Sequence, residues 1–545
     1  MLRIHRNAWG LVVLSAALQV VIFPLPGLYW LSWVAVAPLL VAILRARAAE
    51  TLQLQLDDKA RLLPATPWQG FLLGYACGIL WFAGTCYWIF DTMHRYGGMP
   101  IPAAALALIL FCMYVGLYNG MFGLLLALVA GSKPVASGAS IRRSLAAAPF
   151  LWVAVELART RITAFPWELL GYSQTRNFAL TRIATLTGVY GLSFEIVLVN
   201  SVFAASFLAP REGGNERRKW LLAAACGAAV ILQAGQLLAP APLLTDRTAL
   251  LVQPDIPVQE GAMWTRTYFQ DTLRDLTAVS LHPSGEKESR RYELIVWPES
   301  PSPFYTNDPF FRDAVSALAR QSGTWVVTGS IGITPAMQRS GQRGGQGSQI
   351  FNSSALVNPQ GEWVGRYDKV HLVPFGEYLP FPRVFAFAGG LTKEVGEFQR
   401  GASRTPLVAG GERLGMFICY ESIFPDEIRL GPLQGAQVLL NISNDGWYGD
   451  SGAWAQHLQQ TQMRAIENDR WLLAGTNTGM TASVDPYGRI VAATPRKIRT
   501  ALAAPYALVS GTTFYTRHGD WFAYLCAIIS AGALAVRFVF LDRER

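Results

Sequence analysis

Long apolar blocks separated by short basic or proline- and glycine-bearing stretches fill the first 240 positions of the chain, and this pattern predicts seven membrane-spanning helices. Their expected limits are Ala8–Phe23, Leu28–Leu44, Trp68–Phe90, Ile101–Ala130, Leu145–Ala158, Ile183–Leu208 and Trp220–Leu238. Most are long enough to cross roughly 30 Å of hydrocarbon. The block that follows Arg3 and Arg6 runs into Pro24-Leu-Pro26 without a small-residue cleavage site, so it is expected to stay as an anchor. An eighth span is expected at Trp521–Leu541.

The pattern changes at Thr248. From there to about Pro505, short β-branched runs at Ala249–Val252, Leu294–Val296, Trp325–Thr328, Ser354–Val357, Met416–Ile418, Val438–Ile442 and Leu472–Ala474 alternate with helical periodicity, as in a layered α/β domain. The expected organisation is a polytopic α-helical membrane bundle over 1–240, an α/β domain over 247–505 and a C-terminal transmembrane helix over 519–541. Within the α/β part, Gln338–Gln349 is almost devoid of apolar residues and reads as a surface insertion.

Composition agrees with a membrane chain. At 545 residues, 51% hydrophobic and only 15% charged, the protein is too apolar for an ordinary soluble enzyme. The net charge of +9 carries no basic stripe with interleaved aromatics, so a nucleic-acid partner is not expected. The basic residues instead mark alternate loops: Arg3/Arg6, Arg45/Arg47/Lys59/Arg61, Lys133/Arg142/Arg143 and Arg211/Arg217/Arg218/Lys219. Those loops are expected on the cytoplasmic side, which puts the α/β domain on the opposite face. Arg159, Arg161, Arg176 and Arg182 break the scheme and cluster with Trp152, Glu156, Phe165-Pro-Trp167 and Gly171-Tyr-Ser-Gln174.

Five of the six cysteines lie in the apolar blocks, and Cys419 alone falls in the α/β region, at the end of the strand-like run Leu414–Ile418. Two other stretches end in charge where a strand should stop: Leu294–Trp297 before Pro298-Glu299, and Gly365–Asp368 before Lys369, with Glu377 eight residues further on. A thiol is weakly ionised at neutral pH, so a neighbouring carboxylate suits it as general base and an ammonium suits the oxyanion that an acyl carbonyl develops. Trp-Pro-Glu, Asp-Lys-x-His-Leu-x-Pro-Phe-Gly-Glu and Cys-Tyr-Glu in this order resemble the nitrilase superfamily. That resemblance implies an αββα sandwich and a catalytic triad of Glu299, Lys369 and Cys419.

With the membrane segments, and with Asn-Thr-Gly at 477–479 and His518-Gly-Asp520, nearly the whole chain resembles the apolipoprotein N-acyltransferase family, a membrane-embedded nitrilase branch. The resemblance implies transfer of an acyl chain from a glycerophospholipid, with phosphatidylethanolamine the expected donor, through a Cys419 thioester to the α-amino group of a diacylated apolipoprotein. It implies the bacterial inner membrane with the catalytic domain on the periplasmic face, and no metal or other cofactor. Glu377 is expected to support the triad, and Trp264, Tyr420 and Glu421 to belong to the substrate site. A membrane-tethered amidase acting on a small amide is the alternative, because the same triad serves water as the second nucleophile. The apolar stretch Tyr378–Leu391 is expected to be a mobile arm against the bilayer. Arg464 and Glu467 are spaced to pair on one helix face.

Overall fold

In the computed structural model, residues 4–48, 62–131, 138–208, 214–258, 264–283, 291–300, 302–334, 348–379 and 398–540 are described. Most of the Gln338–Gln349 insertion and of the Tyr378–Leu391 stretch lies outside them. The chain divides into two units, Met1–Phe90 with Ile101–Pro240 and His518–Arg545, and Asp91–Pro100 with Ala241–Arg517.

The first unit is helical. Its main helices are Arg6–Val21, Ala37–Leu44, Pro67–Thr85, Ile101–Ala130, Gly138–Ala158, Val189–Leu208, Gly214–Ala234 and Trp521–Phe540. Four helices among the described residues are long and apolar enough to cross a membrane, or five if Pro67–Thr85 is joined to Trp88–Tyr96. The remaining expected spans have physical reasons to fall short. Arg6–Val21 has only 16 residues, Gly138–Ala158 carries Arg142, Arg143 and an internal Pro149, and the Leu28–Leu44 block breaks at Val36. The expected Ile183–Leu208 span starts late, because Gly188 (φ +67°) ends a short preceding turn and the helix begins at Val189.

Small residues set the closest helix contact. A Cβ at Gly74 would lie 2.1 Å from the Asn119 carbonyl, and one at Gly123 would lie 2.1 Å from that of Gly70, so Pro67–Thr85 and Ile101–Ala130 approach backbone to backbone. Of the four unassigned arginines, Arg159 is buried and donates to the Trp167 carbonyl at 2.7 Å. Arg161 pairs with Asp520 at 2.6 Å.

The second unit contains strands β1 (Arg247–Gln253), β2 (Leu294–Val296), β3 (Trp325–Thr334), β4 (Gln349–Val357), β5 (Trp363–Asp368), β6 (Leu407–Ala409), β7 (Glu412–Ile418), β8 (Val438–Ser443), β9 (Leu472–Thr476), β10 (Ala482–Val484), β11 (Ile490–Ala493) and β12 (Thr500–Tyr506). They form two six-stranded sheets, ordered β12-β1-β2-β3-β4-β5 and β11-β10-β9-β8-β7-β6. The centres of both sheets are parallel, β1 to β2 to β3 and β7 to β8 to β9, and the flanking strands are antiparallel.

Three apolar clusters give the layer order. Leu251, Val296 and Leu356 meet Ile418, Leu440 and Leu473 between the sheets. The outer face of the first sheet packs on helices Arg266–Leu281 and Pro309–Ser322 through Leu273, Phe311 and Leu318. On the outer face of the second sheet, Phe417, Leu439 and Leu472 pack with Ala465 of helix Ala453–Asn468. The result is an αββα sandwich, in which central strands buried on both faces read as continuous apolar runs. The expected Arg464–Glu467 pair forms at 3.1 Å and is fully buried.

The segment Asp91–Pro100 joins this unit and not the helical one, although apolar blocks flank it on both sides. Thr92 donates to the Trp447 carbonyl at 3.0 Å, and Tyr96 meets the Trp447 ring edge-on at 5.6 Å.

Candidate active site

Glu299, Lys369 and Cys419 are each delivered by the residue or turn that ends a strand. After β2, Trp297 adds one more ladder bond to Val327 and Pro298 cannot donate, so the chain turns and carries Glu299 inward. That turn passes directly over Gly329, where a Cβ would lie 2.1 Å from the Pro298 carbonyl. Lys369 follows β5 and stays tied to β4 by its N–H, which donates to the Asn352 carbonyl at 2.8 Å. Cys419 follows β7, adopts a left-handed φ of +49° and opens a short 3-10 turn, Cys419–Ile423.

The charged groups form one network. Lys369 Nζ is 2.9 Å from Glu377 Oε1 and 3.3 Å from Glu299 Oε1, and its side chain is only 1% exposed. Asn352 bridges the two carboxylates, donating from Nδ2 to Glu299 Oε1 at 2.7 Å and to Glu377 Oε1 at 2.6 Å. The second oxygen of Glu299 accepts from the Asn444 N–H at 2.9 Å, and that of Glu377 from Val373 N–H at 2.8 Å. Burial works against the Lys369 ammonium, but Glu299 and Glu377 outweigh it and hold the group above its ordinary value. Lys369 is therefore a fixed positive charge.

The Cys419 thiol is pushed well above the ordinary range, first by burial and then by the charge of Glu299, with Lys369 opposing. A thiol in that state does not ionise by itself at neutral pH and needs a base as it attacks. Glu299 contacts Lys369, and its charge bears on the thiol.

Of the expected substrate-site residues, Tyr420 is 7% exposed and packs edge-on against Phe424 at 5.4 Å. Glu421 is fully buried. Its Oε1 accepts from Val370 N–H (2.8 Å), His371 N–H (3.0 Å) and Tyr367 OH (3.0 Å), and lies 3.1 Å from Arg404 Nη1. Its Oε2 accepts from Ile418 N–H (2.7 Å) and Tyr367 OH (2.8 Å). Glu421 thus ties the residues that follow Lys369 to the residue that precedes Cys419. Trp264 meets Tyr268 edge-on at 4.9 Å and packs on the outer cluster of the first sheet.

Several members of the site escape sequence reading: Asn352, Tyr367, Arg404 and His457. Asn352 and Tyr367 lie within strands, and their partners are distant in sequence. Arg404 reaches Glu427 as well as Glu421, and Glu427 also meets His371 Nδ1 at 3.0 Å. No group of three or more His, Cys, Asp or Glu suited to a metal ion occurs among the described residues.

Comparison with known proteins places the chain in a family. Residues 274–509 match the carbon-nitrogen hydrolase model, and residues 15–202 match that of the apolipoprotein N-acyltransferase N-terminal domain. An apolipoprotein N-acyltransferase of Geobacter metallireducens is 34% identical over 541 residues, covering 98% of this chain and 96% of that one. One from Methylococcus capsulatus is 34% identical, covering 85% and 87% respectively. A third, from Rhodopseudomonas palustris, is 33% identical over 69% and 70%. The match runs through both the helical unit and the sandwich, and the chain belongs to the apolipoprotein N-acyltransferase family, a membrane branch of the carbon-nitrogen hydrolases.

Proposed function

We propose that this protein N-acylates lipoproteins in two half-reactions through a thioester on Cys419. The observation that carries the reading is the buried Glu299–Lys369–Glu377 network around a lone thiol at a strand end, within a chain that matches the acyltransferases along nearly its whole length. In the first half-reaction Glu299 takes the thiol proton as Sγ attacks an ester carbonyl of a glycerophospholipid. The oxyanion forms beside Lys369 Nζ. When the carbon–oxygen bond breaks, Glu299 returns the proton to the departing alkoxide, giving lysophospholipid and acyl-Cys419. In the second, the free α-amino group of the S-diacylglyceryl cysteine attacks the thioester and Glu299 takes a proton from it. Collapse then gives the amide, and Cys419 recovers its proton.

Phosphatidylethanolamine is the proposed donor. Glu377 and Asn352 hold Lys369 and Glu299 in place, and Tyr420, Glu421 and Trp264 complete the site. We assign the protein to the bacterial inner membrane with eight spans, seven within 1–240 and one at 519–541, and the 247–505 domain on the periplasmic face. The alternating basic loops support that topology. Initial rates with phospholipid and lipopeptide both varied test the scheme. Parallel reciprocal plots and a lysophospholipid burst equimolar with enzyme are expected, and intersecting plots with no burst would exclude the thioester route.

A further inference from the structure

His457 lies on helix Ala453–Asn468, is 2% exposed, and has both ring nitrogens facing oxygen. Nε2 is 3.0 Å from the carbonyl oxygen of Cys419, and Nδ1 is 3.3 Å from Asp445 Oδ1. A carbonyl oxygen only accepts, so Nε2 carries a proton and donates it to the Cys419 carbonyl, while Asp445 faces the other ring nitrogen. Burial opposes protonation of the ring, but Asp445, the Cys419 carbonyl and Glu299 together outweigh it and hold the group above its ordinary value.

Asp445 is itself fixed. It accepts from Ser443 Oγ at 3.0 Å, and its Oδ2 is wedged so close to Gly479 that a Cβ there would lie 2.2 Å away.

We propose that His457, anchored by Asp445, is a positioning residue that grips the peptide following Cys419 and so aims the thiol for both acyl transfers. The inference rests on the reading of Cys419 as nucleophile. A left-handed φ is unfavourable for a residue with a Cβ and persists only where the surroundings over-determine it. Cys419 is held from both sides. The N–H of Ile418, just before it, donates to Glu421, and its own carbonyl accepts from His457. Because a peptide is planar, pinning that oxygen fixes the whole unit between Cys419 and Tyr420. Release of the His457 grip lets the backbone relax toward φ < 0, which swings Cβ and Sγ away from Glu299 and Lys369.

The test uses the full chain in phospholipid–detergent micelles and follows single-turnover acylation by labelled phospholipid, with the label mapped to its residue. In His457→Phe the acylation rate should fall about 10²-fold, with half-saturating phospholipid unchanged, since a small misplacement of a reacting group costs that much. In His457→Gln the side-chain amide can place an N–H where Nε2 stood, and the rate should recover to within about tenfold of wild type. His457→Asn is too short to do so and should stay as slow as His457→Phe. A wild-type rate in His457→Phe overturns the proposal. If His457→Phe does not fold, equal rates in His457→Gln and His457→Asn overturn it. Label on a residue other than Cys419 in the wild type strikes instead at the nucleophile assignment, which keeps the two failures apart.

Discussion

Replacing Glu421 by Gln tests whether that residue holds the frame of the site or touches substrate. The change keeps size and removes charge. Glu421 accepts backbone N–H groups with both oxygens, from Val370 and His371 on one and from Ile418 on the other. A glutamine amide has one oxygen only, so either orientation sets its NH2 against a buried N–H donor. An unsatisfied buried donor costs about 1–3 kcal/mol. Arg404 also loses a partner but keeps Glu427, so it adds less than the roughly 3–5 kcal/mol of an uncompensated buried charge. The sum is on the order of 3 kcal/mol, or a fall in melting temperature of roughly 3–5 °C in a thermal-shift assay of the solubilised protein. Acylation and transfer should slow by the same factor, because the frame serves both. An unchanged melting temperature with a raised KM for one substrate would refute the reasoning and place Glu421 against that substrate.

Other outcomes follow from the same geometry. Glu299→Gln and Lys369→Met should each slow thioester formation by about 10²-fold or more, read from single-turnover labelling, and a wild-type rate in either would mean that the wrong base or oxyanion partner has been named. Asn352→Leu removes two hydrogen bonds to carboxylates, each worth about 1.5–3 kcal/mol, and should lower both melting temperature and rate, whereas Asn352→Gln should retain part of each. Glu427 is held below its ordinary value of 4.5, because His371 and Arg404 outweigh its burial. Its stabilisation is therefore present above about pH 4.5 and is lost as pH falls through the lower folded value, so Glu427→Gln should flatten the acid limb of a plot of melting temperature against pH.

The chain pattern discloses what is local. Leu294–Val296 is found with its limits intact, because three apolar residues and a following proline define a buried strand end without outside help. The edge strand of the same sheet, β12, is Ala-rich and contains Pro505, and it becomes a strand only by pairing antiparallel along β1. The segment Asp91–Pro100 reads as a connection between apolar blocks, and its packing on Trp447 depends on residues about 350 positions away. The same distinction divides the site. Glu299, Lys369 and Cys419 are legible because each follows its own strand with a short signature, and Arg464–Glu467 because three residues bring charges together on a helix. Asn352 meets Glu299 and Arg404 meets Glu421 only through tertiary folding, and His457 reaches Cys419 across 38 positions.

Peptide mass spectrometry of the full chain after incubation with phospholipid alone tests the central claim most directly. The account predicts one acyl chain on the peptide bearing Cys419, labile to neutral hydroxylamine, equimolar lysophospholipid in solution, and loss of that acyl group when a diacylated lipopeptide with a free α-amino group is added. N-acylation of the lipopeptide by Cys419→Ala, or by wild-type protein with no acyl group ever found on Cys419, would contradict it.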